Sequence, residues 1–273
     1  PQDTSSAASD VYKRQIMGKE TSQETLAKTM DYVQKIRKTP IVVNDSRGFY
    51  TSRVFGTYTG EGVAMLAEGI KPALIENAGK MTGMPMAPLA LSDAVALDLA
   101  WKVTTQTKKD FEAEGKEFPI TPMYSIMEEM VEKQGRFGKK NNKGFYEYPE
   151  NGKKYLWPEL SNLCKESDDQ PDVEELKKRF LYIQALETAK CYEENVLTDV
   201  RDADIGAILG WGMAPWTGGP LSFIDMVGVK EFVAEADKLA QKYGERFTPC
   251  KMLRDMAAKN ESFHKSGSSS QAA

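Results

Sequence analysis

The sequence predicts a mainly helical chain, two copies of one helical unit preceded by the last helix and strand of an α/β domain. Three observations lead there. A capped amphipathic stretch runs straight into a short β-branched run before Gly48; beyond it, apolar residues recur at helical spacing between Gly and Pro; and residues of one half reappear in the other at a fixed offset.

Taken in order, residues 1–15 are polar, rich in Ser and Ala and without periodicity, so they read as a disordered or foreign leader outside the fold. Thr21-Ser22-Gln23-Glu24 has the form of a capping box, in which a hydroxyl and a carboxylate satisfy the free amides of a helix start. Leu26, Met30, Val33 and Ile36 then give one apolar face, and Lys35, Arg37 and Lys38 crowd the last turn, where the helix dipole favours cations. Pro40-Ile41-Val42-Val43, bounded by Asn44-Asp45, reads as a buried strand. Residues 16–44 are therefore expected to be the end of a doubly wound sheet.

Arg53, Glu61 and Glu68 match Arg179, Glu187 and Glu194 at a constant offset of 126 residues. At an offset of 127, Gly83-Met84-Pro85-Met86-Ala87-Pro88 matches Gly210-Trp211-Gly212-Met213-Ala214-Pro215, with Asp93 and Asp225 following and Thr217-Gly218-Gly219 inserted in the second copy. The predicted organisation is a first helical domain at 45–149, a charged linker at 150–173, a second helical domain at 174–263 and a disordered tail at 264–273. The copies are expected to pack as a pseudo-symmetric pair.

Composition narrows the function. Thirty-six basic against 40 acidic residues, a net charge of -4, offer no general attraction to nucleic acid or anionic membranes. No apolar run approaches a membrane span. Three scattered cysteines, Cys164, Cys191 and Cys250, suggest neither a disulfide framework nor a zinc site and point to a reducing cytoplasm. The single histidine, His264, leaves carboxylates, lysine or tyrosine for any proton transfer within the chain.

Lys38-Thr39-Pro40-Ile41-Val42-Val43-Asn44-Asp45-Ser46-Arg47-Gly48-Phe49, then Arg53, the Gly83–Pro88 loop, Arg136-Phe137-Gly138-Lys139-Lys140 and Lys143-Gly144-Phe145-Tyr146 together resemble the C-terminal part of 3-hydroxyacyl-CoA dehydrogenases. The resemblance spans residues 16–263, and because the unit occurs twice it is nearer to the multifunctional fatty-oxidation α-subunit than to the short enzyme. It implies two such C-terminal helical domains after a Rossmann-type remnant, an acyl-CoA substrate of β-oxidation, NAD as cofactor, and either a homodimer or a complex with a thiolase subunit. It further implies that hydride passes to the nicotinamide while a histidine, oriented by a glutamate, takes the hydroxyl proton. Both residues belong upstream, the glutamate at the position of Arg14-Gln15, and no GxGxxG occurs, so NAD is expected to be bound mainly by an upstream domain and the isolated chain to be inactive.

For substrate contact the resemblance singles out Ser52, where the family usually has an asparagine, and Leu209, where some relatives have a tyrosine. A serine hydroxyl can still donate and accept, against the plainer role of capping its own helix; leucine can only line an acyl channel or pack. The repeated Gly/Pro loops read as rigid turns, and Arg136, Lys139, Lys140 and Lys143 as solvated charge or as contacts to CoA phosphates. Glu61, Glu68, Glu187 and Glu194 sit on helical faces without the ExxH spacing of a di-metal site. Trp101, Trp157, Trp211 and Trp216 read as core or interface anchors. Two other classes stand beside this reading, a non-catalytic assembly module and the helical domain of another Rossmann-type dehydrogenase. Ser52→Ala in the intact enzyme separates the first, and the Lys139–Tyr146 segment argues against the second.

Overall fold

A computed structural model describes residues 12–264; the expectations for 1–11 and 265–273 lie outside these residues. β1 (Tyr12–Met17), α1 (Gln23–Lys35) and β2 (Thr39–Asn44) form a βαβ unit in which the strands pair in parallel, Tyr12 opposite Thr39 and Met17 opposite Asn44. Residues 12–15, set aside as leader, thus lie in a strand. Tyr-Lys-Arg-Gln shows no apolar alternation, and a parallel ladder is made by the backbone, so the pattern could not reveal it. The helix start also moves by one residue. Ser22 is the N-cap, its Oγ accepting from Thr25 N at 3.1 Å, while Thr21 Oγ1 accepts from Gly18 N at 3.0 Å and Glu24 pairs with Lys28 instead of closing a box. Ile41 and Val43 are buried on one side of β2, as its apolar run predicts.

The first copy continues as α2 (Thr51–Ala67), α3 (Pro72–Met81), α4 (Pro88–Val95), α5 (Leu97–Ala113) and α6 (Pro122–Glu128). Between the copies lie a short hairpin of β3 (Tyr146–Glu147) with β4 (Tyr155–Leu156) and the one-turn α7 (Leu160–Leu163). The second copy is α8 (Val173–Glu193), α9 (Val200–Trp211), α10 (Pro220–Val227), α11 (Val229–Tyr243) and α12 (Lys251–Lys259). The order α2 to α5 recurs as α8 to α11, down to a proline opening α4 and α10 and a residue of positive φ, Ala96 or Gly228, breaking α4 from α5 and α10 from α11. The chain is mainly helical, as predicted. No helix of the described residues is long and apolar enough to cross a membrane.

By compactness the chain divides inside α2 and α8. One unit holds the chain up to Thr57 together with Leu181 onward, here called unit 1; Tyr58–Phe180 form unit 2. Each has its own core: Ile41, Tyr50, Phe232 and Phe247 are fully buried in unit 1, and Tyr58, Ile75, Leu89, Phe145 and Phe180 in unit 2.

A polar circuit recurs in both. In unit 2, Glu76 accepts from Leu89 N (2.7 Å) and Ala90 N (3.2 Å), satisfying the free amides at the start of α4. Asp93 then accepts from Phe145 N (2.8 Å) and Tyr146 N (2.9 Å), and Tyr146 donates its hydroxyl back to Glu76 at 2.6 Å. In unit 1, Asp204 accepts from Leu221 N (2.8 Å) and Ser222 N (3.2 Å), Asp225 from Phe263 N (2.9 Å) and His264 N (2.7 Å), and the His264 ring returns to Asp204 at 2.8 Å. Asp93 reaches its partners because residue 144 is glycine: a Cβ there would lie 2.0 Å from Asp93 Oδ1.

The repeated Arg and Glu residues form a second shared device, an arginine clamp. In unit 2, Arg179 Nε donates to Glu61 at 2.7 Å and Nη1 to Glu68 at 2.7 Å. In unit 1, Arg53 Nε donates to Glu187 at 2.8 Å and Nη1 to Glu194 at 2.5 Å. Glu61, Glu68, Glu187 and Glu194 are therefore held by guanidinium groups, which match carboxylates in bidentate or forked geometry.

Candidate active site

Gly48, at φ +76°, turns the chain into α2, and Ser52 is the second residue of that helix. Its side chain is exposed, and its hydroxyl has no hydrogen bond among the described residues. Arg53 follows it. Burial opposes the Arg53 charge, yet the hydrogen bond to Glu194 and the neighbouring Glu187 hold the guanidinium above its ordinary pKa, so the clamp stays charged.

Glu194 connects this helix start to a cleft of about 560 Å³ in unit 1. Met17, Gly18 and Lys19 line it from the end of β1, Asn44, Asp45 and Ser46 from the end of β2, and Glu194, Asn195 and Val196 from the corner after α8. It thus lies outside the carboxyl ends of two parallel strands, where α/β sheets bind ligands. The corner is tied to β2: Val196 O accepts from Asn44 N at 2.9 Å, and Asn195 O from Asn44 Nδ2 at 2.7 Å. Neither Ser52 nor Leu209 is among the cleft-lining residues. Leu209 is half-buried on α9.

The βαβ unit does not fit the pyrophosphate of a dinucleotide. In such units the helix start receives the phosphates, but here Ser22 Oγ already occupies Thr25 N and the first turn carries Glu24. An anion at this helix start would compete with Ser22 for Thr25 N and face Glu24.

Elsewhere, the basic stretch is partly structural. Arg136 is buried, donating to Gly144 O at 2.8 Å and Glu147 at 2.7 Å with its guanidinium 3.9 Å over Trp157, and the exposed Lys140 pairs with Asp98 at 2.7 Å; Lys139 and Lys143 are exposed. Trp101 and Trp211 are buried and Trp157 half-buried, whereas Trp216 is 55% exposed with its ring edge-on to the buried Phe223 at 6.2 Å. Cys164, Cys191 and Cys250 are free and buried.

Two titratable clusters were not foreseen. In unit 2, burial pushes Glu76 up and Asp93 up to about 6, and lifts the Tyr146 and Tyr148 phenols above their usual range, while burial lowers Lys154, whose Nζ stands 4.4 Å over the Tyr146 ring. Every oxygen of Asp93 faces an interior donor, which makes the cluster a brace. In unit 1, Ser222, His264 and Asp204 have the composition of a nucleophile relay but not its geometry. Ser222 Oγ (3.2 Å) and Asp204 Oδ2 (2.8 Å) both approach the same nitrogen, Nε2, and Ser222 itself donates to Asp204 at 2.6 Å. A relay needs the carboxylate on the other ring nitrogen. The repeat held the signal for both clusters, since Asp93 and Asp225 align.

The chain thus places a helical repeat after a parallel βαβ unit, with a cleft at the strand ends. Residues 48–148 match the family model of the 3-hydroxyacyl-CoA dehydrogenase, C-terminal domain. Among solved structures, the chain is similar to 3-hydroxybutyryl-CoA dehydrogenase from Escherichia coli K12, with a TM-score of 0.68 and 20% identity over 90% of this chain and 67% of that one. It is also similar to the dehydrogenase part of multifunctional enzyme 1 from C. elegans, with a TM-score of 0.64 and 24% identity over 89% of this chain and 55% of that one. The chain thus spans a little over half to two thirds of the length of these structures, and at such identities the likeness is one of fold.

Proposed function

We propose that this chain is the substrate-side and assembly portion of an NAD-dependent 3-hydroxyacyl-CoA dehydrogenase of fatty-acid β-oxidation, similar to the helical part of a multifunctional enzyme. The carrying observation is the match of residues 48–148 to the family's C-terminal domain, joined to an uncapped, exposed Ser52 at the opening of α2. In this reading Ser52 hydrogen-bonds the acyl-CoA thioester region and the Arg53 clamp fixes its helix start. Leu209 contributes an apolar wall to the acyl chain at most. Hydride transfer and proton removal need NAD and a base from an upstream domain, because the βαβ unit offers no phosphate seat and Ser52 is no base.

The purified chain tests this when given NAD and 3-hydroxybutyryl-CoA, with NADH absorbance followed beside calorimetry using a 3-oxoacyl-CoA. Binding without turnover is expected, weakened roughly two- to tenfold by Ser52→Ala, the loss of one uncharged hydrogen bond. Failure to bind contradicts the substrate-side role; turnover by the chain alone contradicts an upstream base.

One observation favours a partner face as well. On α5, Leu99 and Val103 are 52% and 59% exposed, one turn apart, where the second copy places Glu231 and Glu235 on α11. This apolar pair supports a homodimer, or a thiolase contact, through the first copy. Leu99→Glu with Val103→Glu should lower the mass seen by sedimentation, and an unchanged mass argues against this face.

A further inference from the structure

We propose that Asn151, in the turn between β3 and β4, converts spontaneously to aspartate and isoaspartate through a cyclic imide. The backbone nitrogen of Gly152 attacks Cγ of the Asn151 side chain. The N–Cγ bond forms, the bond from Cγ to the side-chain amide nitrogen breaks, and ammonia leaves with the proton that Gly152 N gives up. Water then opens the five-membered ring. Opening at the side-chain carbonyl leaves aspartate; opening at the main-chain carbonyl leaves isoaspartate, with the chain rerouted through the former side chain. Water is the only reagent, so the step needs no cofactor, metal or upstream domain.

The structure leaves this turn open to the reaction. β3 ends at Glu147 and β4 begins at Tyr155, so Asn151 and Gly152 stand outside the ladder, and both are exposed. Neither the Gly152 amide nor the Asn151 side chain has a hydrogen bond among the described residues. A Cβ at residue 152 would meet Pro149 Cγ at 3.6 Å and nothing closer, and its absence clears the approach of the nitrogen. Gly152 sits at φ +143°, a backbone conformation that residues with a side chain rarely adopt. Two exposed cations follow, Lys153 and Lys154, and nearby positive charge favours the deprotonated nitrogen that makes the attack.

The other asparagines lack this freedom. Asn151-Gly152 is the sole Asn-Gly pair in the sequence, and each of the other seven asparagines is followed by an amide already in use. Asp45 N, after Asn44, donates to Met17 O at 3.0 Å, and Val196 N, after Asn195, to Cys191 O at 2.8 Å. Asn142 N and Lys143 N, after Asn141 and Asn142, donate to Lys139 O at 3.3 Å and Gly138 O at 3.1 Å. Leu163 N and Glu261 N, after Asn162 and Asn260, donate to Glu159 O and Met256 O, both at 2.9 Å, and Ala78 N lies inside α3. Attack by any of these nitrogens must first break a hydrogen bond. The product adds a carboxylate to the turn, and isoaspartate a main-chain carbon. The Glu147–Tyr155 pair and the Tyr146 hydroxyl on Glu76 lie outside the turn, so unit 2 keeps its brace and the change is one of charge.

The test is ageing of the purified full chain in mildly alkaline buffer, followed by isoelectric focusing and by peptide mapping with fragmentation that separates isoaspartate from aspartate. Asn151 should convert first, about tenfold faster or more than any other asparagine, a difference of about 1.4 kcal/mol in the barrier, and isoaspartate should accompany aspartate. The rate should rise with pH, because the attacking nitrogen must lose its proton. Asn151→Gln, at an exposed position without a side-chain partner, makes the side chain too long for the five-membered ring. It should abolish the early acidic species while leaving the thermal midpoint unchanged. A different asparagine converting first, aspartate without isoaspartate, no conversion, or acidic species that form as fast in Asn151→Gln overturns the proposal. None of these readouts involves acyl-CoA or Ser52, so the result is independent of the proposed function.

Discussion

Units 1 and 2 use the same clamp in opposite environments. Arg179 and Glu61 are almost entirely out of solvent, at 0% and 1% side-chain exposure, whereas Arg53 is 18% exposed and its partner Glu194 50%. The corner after each clamp helix is held alike, by a side-chain amide donating to its carbonyl: Asn44 Nδ2 to Asn195 O at 2.7 Å in unit 1, Gln170 Nε2 to Gly69 O at 3.1 Å in unit 2. Yet in one the corner is packed so tightly that only glycine fits, and in the other it opens on a cleft. Duplication has kept the ion pairs and helix caps that hold the unit together and released the surfaces around them. The released surface in unit 1 adjoins the βαβ unit and the turn bearing Ser52.

The largest difference should come from breaking the clamps separately. Arg179→Met strands a buried carboxylate and should cost about 3–5 kcal/mol of stability, while Arg53→Met, whose partners reach solvent, should cost roughly 1 kcal/mol; denaturant unfolding of both variants measures the ratio, and equal losses would erase the contrast. The buried acid of unit 2 comes next. Asp93 is held up at about 6 against 3.8, so its stabilising protonation is complete below 3.8 and is lost as pH rises through about 6. Stability should therefore fall across that window, by at most roughly 3 kcal/mol, and Asp93→Asn should flatten the slope; a slope unchanged in the variant assigns it elsewhere. Tyr146→Phe, which removes the side-chain donor to Glu76 and leaves only the amides of Leu89 and Ala90, should cost about 1–2 kcal/mol, and His264→Phe less, because the ring is 40% exposed; thermal midpoints compare them. Smallest should be Asn195→Gly, near neutral, against Gly69→Ala, which places a Cβ into Lys165 O at φ +84° and should destabilise by roughly 1–3 kcal/mol.

Much of the fold was legible in the residues. The apolar spacing and proline punctuation located the helices, and the Arg/Glu offset of 126 exposed the repeat. Hidden from the pattern was what the backbone decides. β1 is recruited by a parallel ladder that Tyr-Lys-Arg-Gln does not advertise, and a chain with Thr21 and Ser22 adjacent can cap from either. The clamps show a different limit: aligned Arg and Glu residues announce duplication, but not that Arg53 takes Glu187 and Glu194 while Arg179 takes Glu61 and Glu68. Ser52 was legible only through resemblance. The cleft was not, since its walls converge from three separated segments.

The most direct measurement is hydrogen exchange of the whole chain with and without a 3-oxoacyl-CoA. Protection is expected in residues 46–55, spanning the Gly48 turn and Ser52, and none in the equivalent stretch 172–181 of the second copy. Equal protection of both stretches, or protection confined to 172–181, would show that the two clamp helices do not differ in function and would contradict the assignment of the ligand-facing turn to unit 1.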